Sequence, residues 1–178
     1  MTKRSYLALI AAASALMATG AANPPPIEPT ARVAFDHVSI NVADFDAALQ
    51  WYQEKLGFEP EVAWRVQALD GKRLAYLTLG GARIELVEAS DGAALSPEAK
   101  TFGEHFGRTG FGHLCLSVDD VDAVLAALTE KNVPTFVRAE TYALDGTPFE
   151  RRVGFIKDAD GNVIEFAEPL RKRAAEAR

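Results

Sequence analysis

Between residues 33 and 168 the chain switches twice from a strand-like to a helix-like hydrophobic period. Residues 33–42 set Val38, Ile40 and Val42 against Phe35, His37, Ser39 and Asn41. Residues 111–118 set Leu114, Leu116 and Val118 against Phe111, His113, Cys115 and Ser117. A period of two predicts a strand with one apolar face. A helical period follows each strand, through Ala48, Trp51, Tyr52 and Leu56 in the first case and Val121, Val124, Leu125 and Leu128 in the second. Asp44 and Asp120 are placed to cap these helices, and Gly57 and Asn132 to end them in the left-handed region. Three further strand-like runs complete each unit, at 58–69, 72–80 and 82–88, then at 134–143, 148–157 and 162–168. They are divided by Asp70-Gly71, Gly80-Gly81, Asp145-Gly146 and Asp158-Ala159-Asp160-Gly161, turns in which glycine accepts the positive φ that a tight reversal needs. The prediction is an α+β fold of two βαβββ modules, 33–88 and 111–168, pairing into a cupped mixed sheet with helices on its outer face. The long polar connector 89–110 is expected to cross the surface between them.

The modules are copies of each other. An offset of 76 residues matches His37 with His113, Val42 with Val118, Asp44 with Asp120, Asp46 with Asp122, and Glu54-Lys55 with Glu130-Lys131. Further on, Ile84-Glu85 recurs as Ile164-Glu165, and Glu88 as Glu168. A repeat of this length is the mark of a duplicated supersecondary unit.

The two His and two Glu at equivalent positions carry the candidate chemistry. Alternation puts His37, Glu85, His113 and Glu165 on the face opposite the aliphatic residues, where a lone carboxylate would be costly without a partner. Two imidazoles and two carboxylates make an N2O2 donor set suited to a divalent metal ion: Zn, Ni, Co, Mn or Fe(II). Elsewhere, His105 in the connector is expected at the surface, and Cys115 as a small wall residue rather than a nucleophile. Arg65, Arg83, Arg151 and Arg152 are candidates for holding an anionic substrate.

Charge and the chain ends narrow the setting. Residues 1–22 read as a cleaved export signal, with Lys3 and Arg4 before an apolar stretch to about Met17 and then small residues. Residues 23–32 form a proline-rich linker, and 169–178 a basic tail expected as a frayed helix. The net charge is −6; the first 22 residues hold two cations and no anion, so the mature chain carries −8. Such acidity argues against nucleic acid and anionic membrane partners. The single cysteine excludes an internal disulfide. The expected location is the periplasm or the exterior, with no membrane association of the mature form.

The chain resembles the vicinal oxygen chelate (VOC) superfamily, which includes glyoxalase I, bleomycin-resistance proteins and extradiol dioxygenases. The resemblance is carried by Asp36-His37-Val38-Ser39-Ile40-Asn41-Val42, Trp51-Tyr52-Gln53-Glu54-Lys55-Leu56-Gly57-Phe58, Gly112-His113-Leu114-Cys115-Leu116-Ser117-Val118, and Asp158 through Phe166. It implies paired modules around a divalent metal, often in a homodimer. The four-ligand set resembles that of glyoxalase I, whereas Asn41 and Ala89 stand where glutathione-using members carry Arg and Asn. The resemblance therefore implies a glyoxalase-like metal-dependent lyase or isomerase acting on a small carbonyl substrate through a metal-stabilised enediolate. Glu165 is the first candidate for the base, and Glu85 its pseudo-symmetric partner. The alternatives are a small-molecule binding or resistance protein of the same fold, and an Fe(II) extradiol-type dioxygenase.

Overall fold

The computed structural model describes residues 34–89, 99–107 and 109–173. The expected export segment, the linker 23–32 and the end of the tail lie outside the described residues. The compact unit that holds both modules begins at Asp36.

In the first module, β1 (Val38–Val42) buries Ile40 and Val42 and exposes Ser39 and Asn41, as the alternation requires. Helix α1 (Phe45–Trp51) starts where Asp44 accepts the Ala47 N–H at 3.0 Å. Its last turn, Tyr52–Leu56, widens to a π-helix and stops at Gly57, with φ of 79°. Strands β2 (Glu59–Val66), β3 (Lys72–Leu79) and β4 (Ala82–Glu88) follow as a meander. β4 then pairs in parallel with β1, giving the order β1-β4-β3-β2.

The second module repeats this plan. It comprises β5 (Leu114–Ser117), α3 (Val121–Glu130), β6 (Thr135–Ala143), β7 (Phe149–Lys157) and β8 (Val163–Ala167), in the sheet order β5-β8-β7-β6. Asp120 caps α3 through the Ala123 N–H at 2.9 Å, and Asn132 takes the left-handed conformation beyond its end. Register follows the repeat as well: Val38 pairs with Ile84, and Leu114 with Ile164.

Each module forms its own sheet, of four and five strands, and the described residues show no ladder from β1 to β5. The two halves instead share a core in which Tyr52, Leu77, Ile84 and Leu86 join Val121, Leu125, Ile156, Ile164 and Phe166. Polar links reinforce that seam. The Tyr52 hydroxyl donates to Asp158 at 2.9 Å, the Ala43 N–H donates to Asp160 at 3.0 Å, and the Lys131 ammonium donates to the Glu54 and Lys55 carbonyls.

Two expectations are corrected. The connector does more than cross the surface. Its residues Phe102–Phe106 form a short helix, α2, capped by Thr101, and Phe102 packs onto a second apolar cluster of Val153, Phe155, Val163 and Ala167. In the tail, Arg171–Lys172 form a strand, β9, that pairs with Phe149 and Glu150 of β7. Pro169 lacks an N–H, so the ladder of β8 lapses there and resumes two residues later. Among the described residues no helix is long and apolar enough to cross a membrane.

Candidate metal-binding pairs

Parallel pairing is what brings each His to its Glu. Ser39 lies opposite Glu85 in the ladder, and His37 lies two residues earlier on the same face. His37 Nε2 consequently stands 3.7 Å from Glu85 Oε2. The second module does the same through Cys115 opposite Glu165, and His113 Nε2 approaches Glu165 Oε2 at 2.8 Å. Both carboxylates are 15% exposed, within reach of a ligand yet largely shielded from water. Two ligands of one ion, with bonds of about 2.1 Å, lie about 3 to 3.5 Å apart. The His113–Glu165 spacing lies just below that range and the His37–Glu85 spacing just above it, so a small shift of either side chain would bring each pair to the separation of two ligands on one ion.

The four donors do not gather at one point within the chain. Among the described residues the one group of three or more His, Cys, Asp or Glu with donor atoms within 4.8 Å of one another is Asp120, Asp122 and Glu168. That group is the helix-to-sheet clamp of the second module. Asp120 caps α3, Arg152 holds Asp122 at 2.7 Å, and Glu168 accepts from the Val121 N–H and from Arg171. The first module has the counterpart: Asp44 caps α1, while Arg73 bridges Asp46 and Glu88 and lies 4.8 Å over the Phe45 ring. The recurrence of Glu88 as Glu168 thus has an architectural cause.

Aromatic residues back both pairs. Tyr76 lies opposite Glu85 on β3, 5.0 Å from the His37 ring, with the Trp64 ring edge-on to it at 4.8 Å. Phe155 lies opposite Glu165 on β7, 5.6 Å from His113. No sequence motif marks either residue, although the strand alternation places both on the faces of the carboxylates. His105 departs from expectation: it is 8% exposed, and its Nε2 lies 3.1 Å from Nδ1 of His113. On the other side, the His37 Nδ1–H donates to Asp36 at 2.7 Å. That bond, aided by Arg83, holds the Asp36 carboxyl below the usual carboxylate range.

Cys115 is exposed, but desolvation and the neighbouring Glu165 charge push its thiol up to about 11, so it stays protonated at neutral pH. The four candidate arginines have partners: Arg65 the Gly71 carbonyl, Arg83 Glu61 and Asp36, Arg151 the Glu168 carbonyl, and Arg152 Asp122. A separate cavity of about 400 Å³ opens beside β5, with apolar walls that include Leu56, Leu79, Val124 and Phe166 and with Lys55 and Lys131 among its lining residues. None of the four donors lines it.

Comparison with known proteins gives this arrangement a context. The chain is 28% identical over 159 residues to a lactoylglutathione lyase of Pseudomonas putida, covering 79% of this chain and 87% of that one. A glyoxalase family protein from Enterococcus faecalis superposes with a TM-score of 0.60 at 25% identity, over 76% of this chain and 97% of that one. The fosfomycin resistance protein FosX from Listeria monocytogenes, solved with Mn(II) and sulfate, shares the fold at a TM-score of 0.54 and 13% identity, over 78% and 94% of the two chains. Residues 34–166 match the model of the Glyoxalase/Bleomycin resistance protein/Dioxygenase superfamily, and with nearly all of both modules covered by that match the chain belongs to this family.

Proposed function

We propose that the protein is a glyoxalase-like, metal-dependent lyase or isomerase acting on a small carbonyl substrate with vicinal oxygens. The observation that carries this reading is the pair of His–Glu contacts at register-equivalent positions, each within a few tenths of an ångström of the separation of two ligands on one ion. Because the pairs stay apart within the chain, the complete site forms where His37 and Glu85 of one copy meet His113 and Glu165 of a second copy. The family resemblance implies a homodimer, which supports that arrangement.

When bound, a divalent ion would supply Lewis-acid polarisation of the substrate oxygens. The chain's own residues do the rest. Glu165 removes a proton from the carbon beside the polarised carbonyl and returns it to the neighbouring carbon, with Glu85 on the opposite side of the site. Phe155 and Tyr76 wall the two carboxylates and limit water beside the reacting carbons. The same proposal includes export: cleavage of 1–22 would release the mature protein outside the cytoplasm, which mass measurement of the periplasmic form tests.

Elemental mass spectrometry on untagged protein is the first test, and about one equivalent of Ni, Zn, Co or Mn per chain is expected. Glu165→Gln should retain metal and lose at least about 100-fold in turnover of 2-oxoaldehyde–thiol adducts, the usual scale of general-base catalysis. Full activity in that variant would overturn the base assignment. A second reading, a binding or resistance protein, draws on the cavity of about 400 Å³ that lies apart from the donors. It predicts ligand binding that survives complete removal of metal, with no product formed.

A further inference from the structure

The repeat exposes a gap in the second half-site. In the first module the residue before the metal-facing histidine is Asp36, whose carboxylate accepts the His37 Nδ1–H at 2.7 Å. A carboxylate only accepts, so this bond fixes the proton on Nδ1 and leaves the Nε2 lone pair directed toward Glu85. An offset of 76 carries Asp36 to Gly112, which has no side chain to offer.

Nδ1 of His113 is nevertheless occupied. It faces His105 Nε2 at 3.1 Å, the two rings being 5.3 Å apart and inclined at 42°. His105 comes from α2, which Phe102 anchors 5.2 Å from Phe155, and it is buried at 8% exposure. A Cβ built on Gly112 would lie 4.0 Å from His105 Nε2, so the imidazole stands beside the space that an aspartate there would use. Gly112 has no positive φ that would require glycine.

We infer that His105 is the positioning residue of the second half-site: with a metal on Nε2 the His113 proton must lie on Nδ1, and His105 Nε2 stands where it accepts that N–H and holds the ring with Nε2 toward Glu165, the role Asp36 fills in the first half-site. The inference rests on the reading of His113 as a metal ligand. It gives the connector a purpose, since the connector delivers from eight residues away what the first module obtains from an adjacent residue. Partners of this kind on a ligating histidine hold its orientation and raise its basicity, and their loss costs about 10- to 100-fold in metal affinity.

The test compares the full chain with His105→Ala, His105→Gln and the double variant His105→Ala/Gly112→Asp. Zn(II) affinity is measured by competition with a chromophoric chelator, and the His113 Nδ1–H is followed by NMR in the Zn-loaded proteins. His105→Ala should bind Zn(II) about 10- to 100-fold more weakly, and its His113 Nδ1–H should be lost to solvent exchange. His105→Gln, whose side-chain oxygen can accept, and the double variant, which rebuilds the Asp–His arrangement of the first module, should each recover the slowly exchanging proton and most of the affinity. Zn(II) binding and a protected proton unchanged in His105→Ala would overturn the role of His105 while leaving the metal site intact. Failure of both rescuing variants, with the fold retained, would also overturn it, because the loss would then reflect packing of α2. A wild-type chain that takes up no Zn(II) would instead remove the metal reading on which the inference stands.

Discussion

Tyr52→Phe tests the seam between the modules with a single atom. Tyr52 is fully buried, and its hydroxyl donates to Asp158 Oδ2 across 106 residues of sequence at 2.9 Å. Burial and the Asp158 charge raise the phenol far above its ordinary pKa, so it remains a donor at any pH the fold survives. A hydrogen bond to a charged group contributes about 1.5–3 kcal/mol. Phenylalanine keeps the ring and its edge contacts with Trp51 and Phe58, so no cavity term is added. Asp158 also keeps other donors: Asn162 Nδ2 on Oδ2 at 2.8 Å, and the Asp160 and Asn162 N–H groups on Oδ1. The carboxylate is therefore not stranded, and the loss should sit near the low end, about 1.5–2 kcal/mol. At roughly 2–4 °C per kcal/mol for a chain of this size, Tm should fall by about 3–8 °C. Urea unfolding followed by circular dichroism, at one protein concentration, measures the difference through the midpoint at constant m. A loss below about 0.5 kcal/mol, the level of an exposed pair, would refute the claim that this bond fastens the modules.

Other outcomes follow from single contacts. Gly154→Ala should destabilise the protein by about 1–3 kcal/mol in the same assay, because its Cβ would meet Leu125 Cδ1 at 2.7 Å and Val121 Cγ1 at 3.0 Å under helix α3. Arg73 holds the Glu88 carboxyl down from 4.5 to about 2. A depressed carboxylate pKa gives stability that is whole above about pH 4.5 and lost as the pH falls toward 2. Tm of the wild type should therefore decline over that window, and Glu88→Gln should show a shallower decline; equal slopes would contradict the assignment. Asp44→Ala should lower stability by about 0.5–2 kcal/mol by uncapping α1, read from the urea midpoint.

The repeat makes much of the fold legible in the sequence. Ile84-Glu85 and Ile164-Glu165 occupy matching register positions against β1 and β5, as their spacing implies, and Gly57 and Asn132 do carry positive φ. Alternation puts each His on the same face as its Glu, and the parallel ladders β1–β4 and β5–β8 then bring the two together. Other features depend on tertiary surroundings that no local pattern encodes. Phe102-Gly103-Glu104-His105-Phe106 is too short to show a period, and it becomes a helix with a buried histidine because Phe155 offers an apolar seat across the sheet. Arg171 and Lys172 look like a solvated tail until the free edge of β7 beyond β8 gives them a ladder. The repeated Glu88 and Glu168 invite a functional reading, and only the positions of Arg73, Arg152 and Arg171 reveal a clamp.

The split character of each sheet also orders events in time. The meanders β2–β3–β4 and β6–β7–β8 join neighbours through short turns, whereas β1 must find β4, and β5 must find β8, across more than forty residues. Closing the longer loop is the slower step, so the outermost parallel strand docks last in each half. His37 and His113 stand at the threshold of those late strands. A partly unfolded chain would therefore present its glutamates without their histidines in place, and each His–Glu pair would come into being only as its module completes.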